Sequence, residues 1–118
     1  MVSQIITGAV VGIDGYKIIA EVDMNNSLPG MTIVGLPDMA VSEAKERIRS
    51  AIKNSGYSVP VKKIIINLAP ADIKKEGSGF DLPMAIGVLA ASGEISEKEL
   101  ENTAFLGELS LDGGLRSV

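Results

Sequence analysis

Three consecutive isoleucines, Ile64-Ile65-Ile66, place the tightest constraint on what this chain can fold into. Alternate residues of a strand face opposite sides, so a strand from Val61 to Leu68 is apolar on both. Such a strand belongs in the middle of a sheet with layers on both sides, or in a parallel arrangement.

The flanking sequence predicts the rest of that sheet. Residues 5–13 and 16–24 are β-branched apolar runs around Asp14-Gly15, a pair that reads as a type I′ hairpin turn. In the second run Ile18, Ala20, Val22 and Met24 share one face, with Lys17, Glu21 and Asp23 on the other. Leu28-Pro29-Gly30 is turn chemistry, and Met31 to Leu36 reads as a third strand.

Asp38 is placed to cap a helix from Met39 to about Ser55, whose apolar stripe is Val41, Ala44, Ile48, Ala51 and Ile52, with Gly56 as the stop. Ala69 to Gly79 reads as a charged loop. A mostly apolar helix follows from Phe80 to Ser92, opened by a Ser78–Asp81 capping box, with Pro83 tolerated in its first turn. Ser96 and Glu99 form a second box on a short helix. Ala104 to Leu111 reads as a last strand, and Asp112-Gly113-Gly114 as a hairpin signal whose return begins at Leu115. Met24, Met31, Met39 and Met84 read as core filler. The expected architecture is α+β, a mixed sheet with two main helices in the order β-β-β-α-β-α-β. A chain that stops inside a strand pair is expected to be one domain, residues 1–118, of a longer protein.

Composition excludes several chemistries. The 118 residues hold no Cys and no His, which removes thiolate nucleophiles, thiolate zinc sites and any Ser-His-Asp triad. A hydrophobic share of 46% excludes a disordered tail. No run approaches the roughly 20 residues of a membrane span, and the N-terminus lacks a basic region followed by an apolar core. A soluble, cytoplasmic domain without membrane contact is expected. Net charge is −4 and aromatic residues make up only 3%, so any nucleic-acid contact must be a local patch.

Four ordered motifs go beyond composition: Leu28-Pro-Gly-Met-Thr-Ile-Val-Gly-Leu-Pro-Asp38, Asn67-Leu-Ala-Pro-Ala-Asp72, Lys75-Glu-Gly-Ser-Gly-Phe-Asp-Leu-Pro83 and Gly107-Glu-Leu-Ser-Leu-Asp-Gly113. Together they resemble the N-terminal domain of the magnesium-chelatase-like AAA+ ATPases of the ComM/YifB family, over essentially the whole chain. The resemblance implies a Lon-protease-like two-layer fold and an AAA+ module beyond Val118, where ATP and Mg are bound. It also implies a hexameric ring that promotes branch migration of DNA in natural transformation. The partners it implies for this domain are its own AAA+ module, neighbouring subunits and DNA.

No cofactor is expected in residues 1–118, since no Gly-x-x-x-x-Gly-Lys-[Ser/Thr] loop is present. Gly77-Ser78-Gly79 opens a helix, but Glu76 and Asp81 flank it and oppose a phosphate, so a self-capped turn is the better reading. Lon-type peptidases, similar in the Lys75, Glu76, Gly77, Ser78, Gly79, Asp81 segment, use a Ser-Lys dyad. Aligned without a gap, their nucleophile position falls on Gly79, and the dyad lysine lies beyond this sequence. No catalytic residue is expected. No divalent site is expected at Asp72, Glu76 and Asp81, because Lys74 and Lys75 lie among them.

Lys45, Arg49 and Lys53 recur every four residues and line one side of the first helix over about 12 Å. Lys62 and Lys63 can extend the patch. These five are the candidate phosphate contacts, set against a plain solvated face with a Glu43–Arg47 pair. A pure oligomerisation role, through Leu28-Pro29-Gly30 and the sheet edges, is the other reading.

Overall fold

The computed structural model describes residues 2–117. Strand β1 (Val2–Val11) pairs antiparallel with β2 (Asp14–Asn25). Strand β4 (Lys63–Ala69) lies between β2 and β3 (Gly30–Val34), antiparallel to the first and parallel to the second. The sheet order is β1-β2-β4-β3. The triple isoleucine is thus interior to a mixed sheet. Ile64, Ile66 and Leu68 are buried on one face, while Ile65 on the other is half-covered. Among the described residues only one face carries a full layer, so the parallel neighbour rather than two-sided cover accounts for this strand.

That layer is α1 (Asp38–Asn54) and α2 (Asp81–Ala91). Helix α1 links parallel β3 to β4 and buries Ala44, Ile48, Ala51 and Ile52, the stripe its spacing predicts apart from half-buried Val41. Helix α2 is apolar nearly all round and packs on β1 and β2. The covered sheet face is Ile5, Ile18, Ala20, Val22, Met24, Met31 and Ile33 together with the β4 residues. A 3-10 turn at Glu97–Leu100 touches β1, and β5 (Glu108–Leu109) pairs antiparallel with β6 (Leu115–Arg116).

Several local expectations are corrected. The first hairpin turns at Gly12-Ile13, two residues before Asp14-Gly15, because Val11 pairs with Asp14. Gly12 has a φ of 66° and Ile13 is not among the positive-φ residues, which is the type II′ pattern of glycine first rather than type I′. A shift of two residues preserves strand parity, so the buried face of β2 is unchanged.

Neither Ser78 nor Ser96 caps a helix through its side chain, and Asp38 lies inside the first turn of α1 rather than before it. The carboxylate of Asp38 still favours that turn through the helix dipole. Met39 is 83% exposed and is not core. The last strand shrinks to β5, with Ala104 making a lone parallel bridge to Ile6. The return strand is described as far as β6, and Val118 lies outside the described residues.

Candidate functional site

The basic positions divide into three settings. Lys45 and Arg49 are one turn apart on α1. Lys45 donates from Nζ to the carbonyl of Met31 at 3.2 Å, which ties it to the open edge of β3. Arg49 shares a groove of about 250 Å³ with Lys62, walled by Pro29, Gly30, Val59 and Pro60. Lys53 is exposed in the last turn of α1, about 6 Å farther along, where a cation also favours the helix dipole. Lys63 pairs with Gly30, but strand alternation sends its side chain to the face opposite the helices. The structure therefore gathers Lys45, Arg49 and Lys62 at the start of β3, leaves Lys53 at the end of the stripe, and separates Lys63 from them.

The segment from Pro70 to Asp81 is more ordered than a charged loop implies. Lys75 is 3% exposed, and its Nζ donates to the carbonyls of Pro70 at 2.5 Å and Ile73 at 2.6 Å. Lys74 and Glu76 are exposed and form an ion pair at 3.9 Å. The Ser78 hydroxyl donates to Glu108 Oε1, and Glu108 Oε2 pairs with Arg116 at 3.6 Å. Serine hydroxyl and lysine amine are thus engaged by different groups. The lysine of a Lon-type dyad falls beyond this sequence, so Lys75 is not its counterpart.

Asp81 is 1% exposed and is the hub of this region. It accepts Arg47 Nε at 2.6 Å and Nη2 at 3.1 Å, and the Leu109 N–H at 3.1 Å. The hydrogen bond that Arg47 donates to Asp81 is the main cause that raises the Arg47 pKa above its ordinary value, against the opposing effect of burial. Arg47, read from the sequence only as the partner of Glu43 (a contact present at 3.9 Å), and Glu108 are the residues whose part in this site the sequence reading missed. The available signal was an acid, Asp81, at the start of a helix with no polar face, which calls for a charged or hydrogen-bonding partner from a neighbouring element.

Among the described residues no group of three or more His, Cys, Asp or Glu is arranged to hold a metal ion, and no helix is long and apolar enough to cross a membrane.

Comparison with known proteins agrees with the motifs. The family model for subunit ChlI of Mg-chelatase matches residues 20–118. The chain is 53% identical over 112 residues to the uncharacterised protein YifB of Salmonella typhimurium, covering 95% of this chain and 22% of that protein. It is 52% identical over 112 residues to YifB of Escherichia coli, with the same coverage. It is 47% identical over 110 residues to the competence protein ComM of Haemophilus influenzae, covering 93% of this chain and 22% of ComM. The chain thus spans about a fifth of the length of these relatives. A match over most of the chain makes it a member of the Mg-chelatase ChlI-like family that includes YifB and ComM.

Proposed function

We propose that this chain is a non-catalytic accessory module, of the Lon-protease-like fold class, in a cytoplasmic magnesium-chelatase-like AAA+ ATPase. ATP and Mg are handled by a separate module of the same polypeptide. This domain contacts neighbouring subunits of a ring and offers its basic corner to the DNA backbone. The observation that carries the DNA half is the convergence of Arg49 and Lys62 in one groove, with Lys45 anchored beside it at the edge of β3. Two or three phosphate contacts there give sequence-independent, salt-sensitive binding. Lys53 extends the same line, and Lys63 serves the opposite face. The relative ComM is named a competence protein, which is consistent with a role near DNA.

The test is fluorescence anisotropy with labelled duplex and single-stranded oligonucleotides at low and physiological salt, on this chain and on the full-length protein. Binding that weakens with salt and drops in Arg49→Glu/Lys62→Glu supports the reading. Salt-insensitive or absent binding in both proteins rejects the DNA half. A ring lost on deletion of the domain, with DNA affinity per subunit unchanged, assigns it to assembly alone.

A further inference from the structure

Among the described residues, the tip of the first hairpin leaves a strand edge without a neighbour. Val11 and Asp14 are the closing pair of a two-residue loop, so the backbone N–H and C=O of Val11 face β2. Alternation directs those of Val10, Gly8, Ile6 and Gln4 to the outer edge. Two contacts agree with that parity. The Gln4 N–H donates outward to Glu97 Oε1 at 2.7 Å, and the Ile6 carbonyl accepts the Phe105 N–H at 2.8 Å. Beyond this point the neighbouring chain turns away, with the Gly107 N–H bonded to the Gly79 carbonyl at 2.8 Å.

Gly8 to Gly12 then border a cavity of about 500 Å³, closed on the other side by Lys74 and by residues 76–80. Ala9, Val11, Phe80 and Leu106 make apolar walls, and the Lys74–Glu76 pair leaves the mouth without net charge. Val10 is 77% exposed and Ile13 fully so. Folded proteins ordinarily blunt such an edge with charge or a bulge. Residues 8–13 carry no charge, and β1 pairs with β2 in unbroken register up to Val11.

We infer that this slot binds an extended, uncharged peptide segment of another polypeptide, added as a strand alongside Gly8–Val11. The outward N–H and C=O of Gly8 and Val10 supply the ladder, and residues 76–80 confine the guest from the far side. The edge from Gly8 to Gly12 is about 13 Å long, enough for about four guest residues. The far wall formed by residues 76–80 leaves room for one added strand, and pairing with the edge of a second copy is the outcome that the test separates. The assignment is of binding alone, since the Ser78 hydroxyl at the rim is engaged by Glu108.

The probe is an acetylated, amidated hexapeptide of alternating threonine and valine, titrated into the labelled 118-residue chain by amide NMR. Saturable shifts confined to residues 8–12 and 76–80 are expected. Val10→Pro removes only an outward N–H, so the β1–β2 ladder survives while affinity falls at least tenfold. The same peptide N-methylated at alternate amides also binds at least tenfold more weakly to the unmodified protein, a control independent of any variant's folding. Absent or scattered shifts, or equal affinity for the N-methylated peptide, overturn the inference. So does a self-contact, seen as concentration-dependent shifts at residues 8–12 with a dimer in sedimentation.

Discussion

Val22 Cγ2 lies 2.5 Å from where a β-carbon on Gly87 would stand. The same glycine's carbonyl accepts the buried Ser3 hydroxyl at 2.8 Å, so α2 rests on β1 and β2 at this point by backbone rather than side chain. Gly87→Ala gains helix propensity but drives a methyl into a packed wall. The expected net effect is a loss of about 1–3 kcal/mol in urea unfolding. A Gly87→Ala protein as stable as the parent would show that the helix rides higher on the sheet than described.

Arg47→Met leaves the Asp81 carboxylate buried with the Leu109 N–H as its remaining hydrogen-bond donor among the described residues. Breaking one side of a buried ion pair costs about 3–5 kcal/mol, and the 22% exposure of the Arg47 side chain puts this pair near the lower figure. Replacing both partners with apolar residues restores much of the loss, which a double-mutant cycle measures. A cycle with no coupling energy contradicts the pairing.

Lys75→Met removes the donor that two loop carbonyls share. Leaving those acceptors unsatisfied costs about 1–3 kcal/mol. The damage is local, so amide exchange across residues 70–78 speeds up more than exchange in β2 or β4. Uniform exchange changes throughout the sheet would mean that the staple supports the whole fold and not the loop.

The hairpin from β5 to β6 is pH-sensitive on the acid side. Asp112 accepts from the Ser110 hydroxyl and from the Gly114 N–H at 2.9 Å, which holds its pKa below the ordinary carboxylate range. Because the folded value is the lower one, the stabilisation is complete above about pH 4 and is lost as pH falls through the folded pKa. Carbon-detected NMR titration is expected to give Asp112 a midpoint below that of an unstructured aspartate, and Ser110→Ala to raise it. An ordinary midpoint in the unmodified protein contradicts this.

The basic corner predicts unequal effects. Arg49→Ala and Lys62→Ala each lower the slope of log affinity against log salt by about one for DNA, without loss of stability. Lys45→Ala changes that slope less and lowers thermal stability, because its ammonium is bonded to Met31. Equal slopes for all three variants would remove the groove's special status.

The sheet was legible because strand parity is robust. The period-two pattern of β2 placed Ile18, Ala20, Val22 and Met24 correctly even though the turn lies elsewhere, since a two-residue slip leaves every side chain on its own face. The stripe of α1 was legible for the same reason at a different period. What the sequence did not disclose is where short polar side chains find partners. Ser78 and Asp81 have capping-box spacing, but a carboxylate on β5 and a guanidinium on α1 provide charge-assisted partners that outweigh a local cap. Lys75 reads as solvated loop charge, and only the fold of residues 70–73 brings two carbonyls to its amine. Among the candidate contacts, helical spacing placed Lys45, Arg49 and Lys53 in a row, while the opposite orientation of Lys63 depended on strand register.

A single carboxylate, that of Asp81, is bonded to one helix, begins the other, and holds the N–H of the closing hairpin. Three parts of the chain distant in sequence therefore meet at one side chain, so a change that displaces this carboxylate unseats the hairpin and loosens both helices together.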